Sequence, residues 1–297
     1  MSEASSTLSA RVTQNAPVLV AVLLLLDGLH FVFARSLNSF MPPVLASCLV
    51  TAVAAVQVGA YAASRGQLRW QTFRRHLRFF LAVGGLAGIG TSLSYVAVQY
   101  IDPGTASLLS ETTIVFGVLL GVFWLKDRLT RRQGIGMAVA LVGVGIITFQ
   151  PGDYLRIGAL MTLGFAILYA AHAAVVKRYG GHIAFVEFFF WRLATMAAVM
   201  AVTTTALRVW QWPSKEGWLA LLVFALLDVI ASRSLYYMAL RRLKMSMFSI
   251  ILTLSPVVAI LWTWGIYGIA PTLQQLIGGL GVVIGITVVT MSPPVNE

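Results

Sequence analysis

Charge is what this sequence has least of. Lysine and arginine number 21, and aspartate and glutamate ten, in 297 residues. Soluble domains carry about 25% charged residues, so a chain with 10% is not an ordinary soluble protein. Cysteine is nearly absent too: Cys48 alone excludes an intramolecular disulfide and a cysteine-rich metal site. Also missing are HExxH, GxSxG, Cys/His clusters and nucleotide loops, which argues against an intramembrane enzyme and leaves no expected cofactor or metal. The first sixteen residues hold one arginine and no apolar stretch of their own. No cleaved signal peptide is expected there, and the first hydrophobic run should itself direct insertion.

What the chain has in abundance is apolar sequence, 59% of it. Runs of about 20 residues recur from Pro17 to Met291, and at about 1.5 Å per residue each fits a bilayer core of about 30 Å. Ten spans are expected, near 17–36, 43–63, 79–100, 104–125, 133–150, 157–177, 183–205, 217–240, 245–267 and 272–291. Short joins with turn residues separate them, such as Pro42-Pro43, Asp102-Pro103-Gly104 and Gly180-Gly181. A barrel is excluded because the runs lack in/out alternation. The fold class is an all-α polytopic membrane protein.

The net charge of +11 does not point to nucleic acid, because the basic residues cluster between apolar runs. With the N-terminus inside, fifteen of the 21 fall in inner segments, four in outer joins (Arg35, Arg156, Arg208, Lys215) and two within spans. That alternation predicts both termini in the cytoplasm. Between Arg69 and Leu81, Trp70, Phe73 and Leu77 alternate with arginines. The pattern suits either an interfacial helix against anionic lipid or the basic start of the third span.

Sliding the sequence by 142 positions pairs residues 94–148 with the second half without a gap, at eleven identities. Tyr95/Tyr237, Thr130/Thr272, Gln133/Gln275, Gly136/Gly278 and Gly143/Gly285 are the informative ones. Five spans per half make the second copy enter the membrane inverted, the usual construction of secondary transporters. A pore is disfavoured, since no ring-forming filter motif repeats. Tyr95-x-Ala97, Leu129-Thr130-x-x-Gln133-x-x-Gly136 and their second-half counterparts resemble the EamA-type repeat of the drug/metabolite transporter superfamily. The resemblance implies ten helices in two inverted five-helix repeats, residues 1–150 and 151–297, in a bacterial inner membrane. Among its members the chain is most similar to YddG-type exporters of aromatic amino acids. Asp127 and Ile269 stand where the family usually has glutamate, and Pro256 has Ile114 as its counterpart.

Ionisable groups within spans cost about 2.5–3.5 kcal/mol or more each, so they are functional candidates. They are Asp27, His30, Glu111, His172, Glu187, Arg192, Asp228 and Arg233. Glu187, Arg192 and Asp228 read first as structural. Glu111, in the patch Ser110-Glu111-Thr112-Thr113, reads either as a proton site or as an acid facing a polar cavity. Ser255-Pro256 frees a carbonyl in mid-span. The expected substrate site, midway between the halves, comprises His30, Tyr95, Glu111, His172, Arg233, Tyr237 and Ser255. The partners expected are a small-molecule substrate and membrane lipid. Export of neutral or aromatic amino acids is the leading function; export of drugs or organic cations on the same fold is the alternative.

Overall fold

The computed structural model describes residues 16–124, 130–148, 157–180, 183–242 and 254–291. Among these, every regular element is helical. In the first half the helices are α1 (Ala16–Asp27), α2 (His30–Leu37), α3 (Pro43–Ser64), α4 (Trp70–Arg75), α5 (Leu77–Ala97), α6 (Pro103–Ser110), α7 (Thr112–Phe123) and α8 (Arg131–Thr148). The second half has α9 (Ile157–Tyr179), α10 (Phe185–Ala206), α11 (Lys215–Phe224), a π-helical segment (Ala225–Ser232), α12 (Arg233–Arg242), α13 (Ser255–Tyr267) and α14 (Leu273–Thr290).

Eight helical runs are long and apolar enough to cross a membrane. Two apolar helices stand outside that set: α8, which opens on Arg131-Arg132, and α13, 13 residues long. The expected start of the ninth span, at 245–253, lies outside the described residues, as does Asp127. The third span begins differently from a plain helix start. Trp70–Arg75 is a helix of its own, parted from α5 by a turn at His76.

The repeat is visible in the element bounds. Displacing α3 by 142 residues lands on α10, and displacing α8 lands on α14, to the residue at both ends. Both of these repeat-related pairs pack together, and α5 of the first half lies against α9 and α10 of the second. The halves therefore share one helical body.

The motif residues explain how. Thr130 and Gln133 cap α8 reciprocally: the Thr130 N–H donates to Gln133 Oε1 at 2.9 Å, and the Gln133 N–H to Thr130 Oγ1 at 3.1 Å. Thr272 and Gln275 form the same capping box on α14, at 2.7 and 3.2 Å. Beyond the caps, the glycines make the seam. A Cβ on Gly136 would lie 2.6 Å from the Gly285 carbonyl oxygen, and one on Gly143 would lie 2.5 Å from that of Gly278. The two contacts exchange under the 142-residue shift, so α8 and α14 cross antiparallel about a local two-fold axis. In lipid, where apolar surface supplies no driving force between helices, such backbone approach is what holds them.

Candidate functional site

Three spans that face the middle of the molecule are not regular helices. The first breaks at Gly28-Leu29, between α1 and α2. Gly28 is needed there, because its Cβ would press on Val258 and the Ala259 backbone at 3.0 and 3.1 Å. The break turns the Leu29 N–H to the Leu26 carbonyl. The Leu25 carbonyl instead accepts from the Trp262 indole at 3.1 Å, so the backbone stays satisfied. The fourth span breaks at Glu111, where the hydroxyls of Ser110, Thr112 and Thr113 each donate to a carbonyl three residues back, at 2.6–2.7 Å. The eighth is wound as a π-helix over Ala225–Ser232, a form found mostly at functional sites.

Five ionisable groups that line the central cavities stand at these irregularities, whereas Arg192 lies in the regular helix α10. Asp27 ends α1 and His30 begins α2; Glu111 is the break in its span; Asp228 lies in the π-segment and Arg233 directly follows it. A cavity of about 100 Å³ is lined by Asp27, His30, Glu111, Arg233 and Ser255, with Phe31, Phe165 and Tyr169 as its aromatic wall. A second, of about 50 Å³, shares His30, Tyr169 and Arg233 and adds Tyr95, Arg192 and Asp228. Both halves of the chain contribute to each.

The His30 Nδ1–H donates to Asp228 Oδ2 at 2.9 Å, an ion pair when the imidazole is protonated. Ser255 donates to Asp27 Oδ2 at 2.7 Å. Arg192 donates from Nε to His172 Nε2 at 3.1 Å and from Nη2 to the Tyr169 hydroxyl at 3.0 Å. An arginine cannot accept, so Nε2 carries the lone pair and the His172 proton sits on Nδ1. That Nδ1 is buried and without a partner among the described residues. Glu111 and Arg233 differ from all of these. Among the described residues neither side chain has a hydrogen bond or an ion pair, although Arg233 is in electrostatic reach of Asp27, Asp228 and Tyr169.

Of the seven residues expected from sequence, four (His30, Glu111, Arg233 and Ser255) line the larger cavity. Tyr95, 1% exposed, lines the smaller one, with its ring edge-on to His30 at 6.1 Å. His172 stands behind the wall, holding Arg192, and lines neither cavity. The Tyr237 side chain lies outside the described residues. Sequence reasoning left Asp27, Tyr169, Arg192 and Asp228 out of the site. A signal for two of them was present, since Tyr169 is Asp27 shifted by 142 residues and three positions before His172. The same shift takes Thr91, which lines both cavities, to Arg233.

Comparison with known proteins decides the kind of machine this is. The EamA-like transporter family model matches residues 5–149 and again 156–291. The chain belongs to the EamA-like transporter family. Relatives within reach include the riboflavin transporter of Vibrio cholerae, 25% identical over 238 residues, which are 73% of this chain and 75% of that protein. Two uncharacterized transporters of Bacillus subtilis are comparable. YdfC is 27% identical over 197 residues, 64% of this chain and 63% of its own length. YoaV is 25% identical over 222 residues, 72% of this chain and 75% of its own. A solved crystal structure superposes with a TM-score of 0.63 over 93% of this chain and 97% of the other, at 20% identity. That likeness concerns the fold. As an EamA-like transporter the chain is an integral membrane protein for a small molecule.

Proposed function

We propose that this EamA-like transporter exports small zwitterionic metabolites, foremost neutral and aromatic amino acids in the manner of YddG-type exporters. In this reading ten spans cross the inner membrane with both termini in the cytoplasm, and residues 1–150 and 151–297 rock about the shared site by alternating access. The observation that carries it is the pairing of opposite charges without partners. Glu111 and Arg233 line one cavity, and neither is neutralised by a hydrogen bond or ion pair among the described residues. A buried charge without a partner costs several kcal/mol. An amino acid entering the cavity supplies both missing partners, its ammonium to Glu111 and its carboxylate to Arg233. Phe165 and Tyr169 then offer ring faces to the side chain. His30, Tyr95 and Ser255 fix the surrounding helices, and Tyr237 joins them as the repeat mate of Tyr95.

A second reading, a substrate cation alone, is favoured by the presence of Asp27 beside Glu111 on the same cavity. The two readings part on one experiment. Proteoliposomes containing the purified chain are loaded with phenylalanine, phenethylamine, 3-phenylpropionate, riboflavin or a quaternary amine, with and without a pH gradient. The zwitterion should leave at least tenfold faster than either singly charged analogue. Equal rates for phenylalanine and phenethylamine would establish the cation reading. Riboflavin efflux in place of amino-acid efflux would align this chain with its Vibrio relative.

A further inference from the structure

A second built site lies at the end of the molecule where α3 finishes and α5 and α10 begin. Between α4–α5 and the last turn of α9 runs a groove of about 870 Å³. Arg74, Arg75 and Arg78 line its mouth, and no carboxylate does. None of the three has an ion-pair partner among the described residues. Leu77, Phe79, Ala82 and Val175 form its apolar side, which continues along the membrane-spanning helices α5 and α9. The short helix that carries the basic side is anchored rather than loose. Phe73 stacks on Trp191 with centroids 4.4 Å apart, Trp70 meets the same ring at 5.4 Å, and the Arg69 N–H donates to Glu187 at 3.2 Å.

A cationic mouth above an apolar trough on a membrane helix is complementary to one kind of ligand. We infer that this groove holds an anionic phospholipid, with its phosphate at Arg74, Arg75 and Arg78 and an acyl chain along Leu77, Phe79, Ala82 and Val175. Under the proposed topology the lipid belongs to the cytoplasmic leaflet. Charge alone would suit an acidic peptide equally, but a peptide leaves the apolar trough empty. Trp191, which anchors the short basic helix, is next in sequence to Arg192, which lines the smaller central cavity.

Native mass spectrometry of the full chain, titrated with phosphatidylglycerol and with phosphatidylcholine of the same acyl chains, tests this. Phosphatidylglycerol should bind at least tenfold more tightly. Each arginine near a membrane phosphate contributes about fivefold, so R75Q/R78Q should weaken that binding about 30-fold. Ala82→Trp should weaken it at least tenfold with every charge in place, because the indole fills the trough. R131Q/R132Q, which removes two exposed arginines outside the groove, should leave it unchanged. Equal affinity for both lipids, an equal loss in R131Q/R132Q, or full binding by Ala82→Trp would each overturn the assignment in favour of diffuse surface charge. Competition by glycerol phosphate as effective as by the lipid would overturn it in favour of a headgroup-only or acidic-peptide site. The wild-type lipid comparison and Ala82→Trp stand even if the arginine variant fails to fold.

Discussion

The seam between α8 and α14 and the cavity walls around Glu111 are built from opposite materials. The seam is two unbroken helices, capped alike and in contact through glycine backbone. The cavity walls are broken at Gly28-Leu29, interrupted at Glu111 and wound as a π-helix at Ala225–Ser232, and each irregularity carries an ionisable side chain. One region has no room for a methyl group; the other encloses about 100 Å³. The contrast shows where a two-fold bundle in lipid can yield. Rigid contact sits on the local axis, and irregular backbone lines the cavity where the proposed substrate site lies.

The seam is the place to expect the largest effect. Gly143→Leu would drive a side chain into the Gly278 carbonyl and the Val282 backbone, and no folded, monodisperse protein should survive size-exclusion chromatography. Gly117→Leu should be tolerated, since nothing lies within 4 Å of a Cβ there, although Gly117-x-x-x-Gly121 is the more familiar packing pattern. If both variants behave alike, the seam is not the rigid element.

Replacing a group on the cavity wall should separate function from fold. Glu111→Gln removes a charge-assisted contact worth about 1.5–3 kcal/mol, so amino-acid efflux should fall about 10- to 100-fold while thermal stability holds. Loss of an uncharged aromatic analogue to the same degree would instead assign Glu111 to a proton step or to the fold. Asp228→Asn should act in between. It exchanges a charged partner of His30 for a neutral one at 2.9 Å, lowering stability by about 1–2 kcal/mol in a denaturation series. Histidine variants at residue 30 should then lose little further stability in the Asp228→Asn background, because the pair acts as a unit. The smallest effect belongs to the caps. Thr130→Ala and Thr272→Ala should each cost about 1 kcal/mol, and by equal amounts if α8 and α14 are equivalent. A twofold disparity would mean that the halves are unequal where they meet.

How far the sequence reaches can be judged from particular residues. Thr130, Gln133, Gly136 and their mates at 272, 275 and 278 stood out as repeat identities, and in the structure they are a capping box followed by a backbone contact. Their seven-residue spacing to Gly143 and Gly285 was legible, and so was Gly281-x-x-x-Gly285 on the same face of α14, but the helix they would meet was not. Charges inside spans picked out His30, Glu111 and Arg233, and the structure brings all three to one cavity. The same criterion gave no means of telling Arg192, bound to His172 and Tyr169, from Arg233, without a hydrogen bond among the described residues.

By itself the sequence determined what depends on composition and period. These are the apolar runs that only helices can carry through lipid, the basic clusters, and a 142-residue repeat. Tertiary structure alone decided which charges are spoken for. Whether a carboxylate meets an imidazole, as Asp228 meets His30 across 198 residues, depends on helix breaks of one or two residues that rotate side chains about the axis. Such a break costs little where a neighbouring helix supplies the missing hydrogen bond, as Trp262 does for Leu25. That donor is 237 residues away in the chain, so no local pattern announces it.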